Sequence, residues 1–162
     1  MHEPGGCTAS ESRRWRGGSQ QLIKTRPTWD EYYIGVAIAV ADRADCLRSA
    51  VGAVLVKDNR IMATGYNGAP PGAPGCLTAG ACPRGRLTYE ERPPGGTYGD
   101  CIAIHAERNA LEEAGRRGTI GATLYVTRAP CGDCEAAIWF SGVVRIVYAS
   151  PEGLIVLTAP EK

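Results

Sequence analysis

Two short motifs constrain this chain more tightly than any other part of it: His105-Ala106-Glu107 and, further along, Pro130-Cys131-Gly132-Asp133-Cys134. Each stands where an apolar helical pattern begins, so each is read as the start of a helix. The i, i+3 spacing of Cys131 and Cys134 puts both sulfurs on one side of a first turn. Unpaired N–H groups and the helix dipole favour thiolates there. Two thiolates and one neutral imidazole make three zinc ligands, and the fourth tetrahedral position is left for water. That is the arrangement of a catalytic site, not of a closed structural one. A fold for this chain therefore has to bring two helix starts together around one ion. Glu107 is surplus as a ligand, and two residues past His105 it is placed to act on water as both base and acid. Taken alone, Cys131 and Cys134 also suit a structural half-knuckle or a redox pair, but both leave His105 and Glu107 unexplained.

The rest of the chain alternates between two hydrophobic periods. Behind Thr28-Trp29-Asp30-Glu31, an N-cap with acidic first-turn residues, the apolar positions Tyr33, Val36, Ala37, Val40, Ala41 and Ala44 recur at helical spacing. Residues 51–56 and 60–65 read as a hairpin turning at Asp58-Asn59. The helix from His105 is closed by Gly115 and Gly118. A strand at 122–127, a helix at 131–141 and a strand at 143–148 follow. Residues 149–152 can make only a turn before a last strand at 153–158, which should run antiparallel to its neighbour. The order α-β-β-α-β-α-β-β predicts an α/β domain of helices packed on one sheet. Residues 26–162 are assigned to that domain, and residues 1–25, rich in Gly, Ser, Arg and Gln, are read as a disordered tail. At 162 residues and 44% hydrophobic content, one core is enough.

A net charge of +1 argues against broad capture of nucleic acid. No run approaches the ~20 apolar residues of a membrane span. His2, Glu3 and Pro4 open a segment without an apolar stretch, so no secretory signal is expected and a cytoplasmic location is the default. In a reducing compartment, seven cysteines read more naturally as metal ligands than as disulfides. With Cys7 in the tail and Cys131 and Cys134 assigned, Cys46, Cys76, Cys82 and Cys101 remain. Four cysteines complete a closed structural zinc site. Such a site would anchor residues 66–100, a Gly- and Pro-rich stretch too long to stand untethered in a compact domain. The alternative is that these cysteines are small buried hydrophobes.

The chain resembles the deoxycytidylate (dCMP) deaminase family of the cytidine deaminase superfamily. The resemblance rests on Cys46-Leu47-Arg48, Val51-Gly52-Ala53-Val54-Leu55-Val56, Gly65-Tyr66-Asn67-Gly68, Ile104-His105-Ala106-Glu107-Arg108-Asn109-Ala110 and the strand leading into Pro130-Cys131. It implies a three-layer fold with a central mixed sheet of about five strands. It also implies zinc on His105, Cys131 and Cys134, with Glu107 as proton shuttle. Asn67 is expected at the sugar or phosphate, and backbone near Ala106 and Ala129 at the pyrimidine edge. A second zinc is implied at Cys46, Cys76 and Cys101, with Cys82 close by. Family members are commonly hexameric, with dCTP and dTTP as effectors acting through the Gly-Tyr-Asn-Gly region. The expected reaction is dCMP + H2O to dUMP + NH3. Rival readings are a deaminase of another cytosine compound (cytidine, deoxycytidine, CMP or a specialised-metabolism intermediate) or a non-catalytic nucleotide-sensing module. A nucleic-acid editor is weakened by the near-neutral charge. Arg48, Lys57 and Arg128 are candidates for gripping a phosphate.

Overall fold

The structure, a computed structural model, describes residues 26–82, 91 and 101–160. The tail expected at 1–25 lies outside the described residues. Helix α1 (Trp29–Ala41) starts at the expected cap: Thr28 Oγ1 accepts from the Glu31 N–H, and the Glu31 carboxylate accepts from the Thr28 N–H at 2.7 Å. Strands β1 (Gly52–Lys57) and β2 (Arg60–Tyr66) form the expected hairpin. Asp58 and Asn59 both adopt positive φ, 50° and 56°, as a tight hairpin turn demands. Helix α2 (Ala106–Thr119), β3 (Thr123–Val126), α3 (Gly132–Phe140), β4 (Arg145–Ser150) and β5 (Gly153–Thr158) complete the predicted order.

The sheet order is β2-β1-β3-β4-β5. Only β3 and β4 pair in parallel, with α3 as the crossover such a pair requires. β5 returns antiparallel on β4, with Ser150 opposite Gly153 across the turn. Alternation along the strands sorts the core into two layers. Ala53, Leu55, Leu124, Val126 and Ile146 pack with α2 and α3. Val54, Val56, Tyr125 and Val147 pack with Tyr33, Ile34 and Ala37 of α1. The result is the expected three-layer fold around a mixed five-stranded sheet. Among the described residues, no helix is long and apolar enough to cross a membrane.

The boundaries differ from the sequence reading at several places. β4 runs from Arg145 to Ser150 in place of the expected 143–148, because Ala149 and Ser150 pair with Leu154 and Gly153 and leave only residues 151–152 for the turn. α2 does not end at Gly115: that residue breaks the helix at φ 60°, and a further turn runs to Thr119. Thr119 is buried, and its hydroxyl donates to the Ser141 carbonyl at 2.7 Å, tying this turn to the end of α3. His105 and Cys131 are N-caps with extended backbone and not first-turn residues. Asp30 stands in the first turn of α1 as expected and also joins that helix to the sheet. It accepts two hydrogen bonds from Arg145, at 2.9 and 2.6 Å, and one from the Tyr125 hydroxyl at 2.9 Å.

Candidate active site

Two close approaches put the helix starts in place. Gly65 on β2 lies against the first turn of α2, where an added Cβ would stand 2.5 Å from the Ala110 nitrogen and nearer still to the Ala106 carbonyl oxygen. Only a residue without a side chain lets α2 start there. β3 ends at Val126, and the chain passes through Thr127 to the cap of α3. Gly52 N donates to Thr127 Oγ1 at 3.2 Å and Thr127 N to the Gly52 carbonyl at 3.0 Å, extending the β1–β3 contact towards Cys131.

His105, Cys131 and Cys134 converge. Nδ1 of His105 lies 3.2 Å from Cys134 Sγ and 3.6 Å from Cys131 Sγ. All three ligand atoms lie within 4.8 Å of one another, the one such group of His, Cys, Asp or Glu among the described residues. Around a tetrahedral zinc with ligand bonds of about 2.1 Å (N) and 2.3 Å (S), nitrogen and sulfur stand roughly 3.6 Å apart. The donor set therefore fits zinc in type and in spacing. Its electrostatics agree. Burial pushes the Cys134 thiol well above its usual range, and the negative charges of Glu107 and Cys131 push it further. A divalent cation reverses that balance by stabilising the thiolates.

Glu107 is 3% exposed, and with His105 and Cys131 it lines a cavity of about 450 Å³. Asn67, Ala106 and Ala129, the residues expected to meet a substrate, line the same cavity. The buried Asn67 amide is also engaged with the chain itself. Its Oδ1 accepts from Val51 N at 2.8 Å, and its Nδ2 donates to the Ser49 carbonyl at 2.8 Å. Asn67 thus braces residues 49–51, a role the sequence reading missed.

Of the three phosphate candidates, Arg48 and Arg128 are on the cavity wall. Lys57 instead donates to the Arg117 carbonyl at 3.2 Å. Ser49, which no motif singled out, also lines the cavity and accepts from Arg128 Nη1 at 3.0 Å.

The remaining cysteines are neighbours without matching the tightness of the first group. Cys46, Cys82 and Cys101 reach the cavity wall. Cys76 is buried and hydrogen-bonded to Cys82. Its thiol is pushed up to about 11 by burial first, then by Cys82, Cys46 and Cys101. Asp45 holds the loop bearing Cys76 against the end of α1. It accepts from Gly75 N at 3.2 Å, Thr78 N at 2.9 Å and Thr78 Oγ1 at 2.6 Å.

A family profile described as the cytidine and deoxycytidylate deaminase zinc-binding region matches residues 27–150. The chain belongs to this family. Its class is that of a zinc-dependent pyrimidine deaminase, a hydrolase. It is 54% identical to the deoxycytidylate deaminase of Mycobacterium phage D29, over 76% of this chain and 96% of that protein. Identity with the deoxycytidylate deaminase of Schizosaccharomyces pombe is 43%, over 76% of this chain but 37% of that larger protein. Among solved structures, the dCMP deaminase of cyanophage S-TIM5 in complex with dCMP and dUMP superposes with a TM-score of 0.55 at 28% identity. That match covers 76% of this chain and 82% of the other.

Proposed function

We propose that this chain hydrolyses the 4-amino group of dCMP, giving dUMP and ammonia. The observation that carries the reading is the buried Glu107 carboxylate on the wall of the cavity that His105 and Cys131 also line. Support for the substrate comes from the deoxycytidylate deaminase of phage D29 and from the cyanophage enzyme that holds dCMP and dUMP. His105 Nδ1, Cys131 Sγ and Cys134 Sγ would hold the zinc, which when bound supplies a Lewis acid able to make water a nucleophile near neutral pH. Glu107 accepts a proton from the attacking water and passes one to the pyrimidine ring nitrogen. It then carries a proton to the amine as the C–N bond breaks, so one carboxylate serves as base and then as acid. Backbone at Ala106 and Ala129 holds the pyrimidine edge, and Asn67 adds contacts to the sugar or phosphate while bracing residues 49–51.

The same reading assigns a second, structural zinc to Cys46, Cys76, Cys82 and Cys101. The mutual influence of these thiols and the Asp45-tethered loop support it. It extends to a hexamer that responds to dCTP and dTTP in a cytoplasmic setting. Analytical ultracentrifugation with and without each nucleotide tests the assembly. Ammonia release from cytosine, cytidine, deoxycytidine, CMP and dCMP tests the substrate: dCMP should have the highest kcat/KM. An enzyme inert toward dCMP but active on another of these compounds overturns the reading.

A further inference from the structure

We infer that Asn109 is a positioning residue: through the Tyr66 carbonyl it fixes Asn67 in the cavity relative to Glu107, and so sets how tightly the nucleotide is held. This rests on the nucleotide reading above and adds a residue that stands behind the cavity wall.

Asn67 lies between two peptide groups, and each group is held at both ends. The Tyr66 carbonyl accepts from Asn109 Nδ2 at 2.7 Å, and the Asn67 N–H donates to the Val51 carbonyl at 3.2 Å. On the other side the Asn67 carbonyl accepts from Asp45 N at 3.1 Å, and the Gly68 N–H donates to the Ile104 carbonyl at 3.2 Å. A peptide group is planar, so bonds at its two ends fix the whole plane. With both planes fixed, the direction in which the Asn67 side chain leaves the backbone is fixed as well. Three of these four bonds join backbone to backbone. Asn109 supplies the one that depends on a side chain, and it is the shortest.

That bond joins two parts of the wall that a ligand meets together. Asn67 and Glu107 are both buried and line the same cavity, Asn67 just past the end of β2 and Glu107 in the first turn of α2. Asn109 is two residues beyond Glu107, and its own N–H closes the first turn on the His105 carbonyl at 3.1 Å. Gly65 makes the approach possible, since an added Cβ would stand 3.1 Å from the Asn109 Cβ. Helix propensity does not explain an Asn at this half-buried position, where Ala would be favoured. The bond across to Tyr66 does.

The test measures kcat and KM for dCMP, dUMP affinity by calorimetry, zinc content and thermal midpoint in the zinc-loaded wild type and in Asn109→Ala, Asn109→Asp and Asn109→Gln. Ala and Asp remove the donor, and losing one hydrogen bond should raise KM for dCMP and the dUMP dissociation constant about 3–10-fold. kcat should stay within about twofold and zinc content should not change. In Asn109→Ala the midpoint should stay near that of the wild type, because the gain in helix propensity offsets the lost bond. Asn109→Gln keeps an amide donor on a longer stem and should fall between wild type and Ala. In an Asn67→Ala background, Asn109→Asp should add less than about twofold, because it acts through Asn67. The single variants decide on their own if the double variant does not fold. Wild-type KM and dUMP affinity in Asn109→Ala and Asn109→Asp overturn the inference, and so does a loss confined to kcat, zinc and midpoint; both leave the substrate reading standing. A wild type that turns over another cytosine compound but not dCMP overturns the substrate reading, and the same KM comparison on that compound then decides this inference.

Discussion

Gly65→Ala is the substitution that most directly tests how the fold assembles the site. Gly65 lies in β2, far from the cysteine motif in sequence and without a functional group of its own. Its added Cβ would stand 2.5 Å from the Ala110 nitrogen, where ordinary contact begins at 3.4 Å. Backbone of α2, and not a flexible side chain, must therefore retreat by at least about 0.9 Å (3.4 less 2.5), and by more at the Ala106 carbonyl, or the strand must yield by as much. His105 caps that helix, so the retreat carries Nδ1 away from sulfurs now 3.2 and 3.6 Å distant, and Glu107 moves with it. Misplacing reacting groups by roughly 1 Å costs on the order of 100-fold in rate, and overpacking a core contact costs about 1–3 kcal/mol of stability. The assay is kcat/KM for dCMP with zinc content and thermal midpoint measured on the same preparation. Gly35→Ala serves as the control, because Gly35 sits within α1 with nothing within 4 Å of an added Cβ. It should stabilise by about 0.5–1 kcal/mol through helix propensity and leave activity unchanged. A Gly65→Ala enzyme with wild-type kcat/KM and midpoint would refute the claim that this contact sets the position of α2.

Glu107→Gln should abolish turnover, to below a few per cent, while one zinc remains on His105, Cys131 and Cys134; residual activity above that level contradicts the proton-carrying role. Elemental analysis should find two zinc ions per chain, falling to one in Cys76→Ser, whereas one ion in the wild type with four or five titratable thiols removes the second site. The Arg145 guanidinium holds the Asp30 carboxyl below its ordinary value of 3.8, so the pair stabilises the fold above that pH and the contribution fades as pH falls through the depressed value. Asp30→Asn should therefore cost about 1–3 kcal/mol at neutral pH. Its unfolding curves in urea should converge on those of the wild type only as pH falls through that depressed value; a gap independent of pH would rule out the ion pair as the cause.

The order of elements was legible because periodicity is local. The apolar, β-branched run at 51–56, the Asp58-Asn59 turn and the short connection before residue 153 each dictate their structure with residues a few positions away. The metal group was legible for a related reason: Cys131 and Cys134 lie within one turn, and only His105 had to come from elsewhere. The second cysteine cluster was readable as a set but not as a geometry. Cys46, Cys76, Cys82 and Cys101 have no knuckle spacing, and what holds the loop of Cys76 in place is Asp45, a residue that no metal pattern includes. Asp30 was readable as a first-turn acid and no further, because its partners, Tyr125 and Arg145, lie on two different strands.

The cavity wall away from the zinc ligands shows most clearly where sequence reading stops. Ser49 and Arg128 are 79 positions apart, and no spacing rule links them. They meet because β1 and β3 pair antiparallel, with Ala53 opposite Val126. Continuing that register brings Gly52 to Thr127 and then the residues beyond to each other. Asn67 joins from the end of β2 by a third route, through its amide to Ser49 and Val51. Chemistry that depends on helix starts is thus written in short motifs, whereas the cavity wall beside it depends on strand ends that only the sheet brings together.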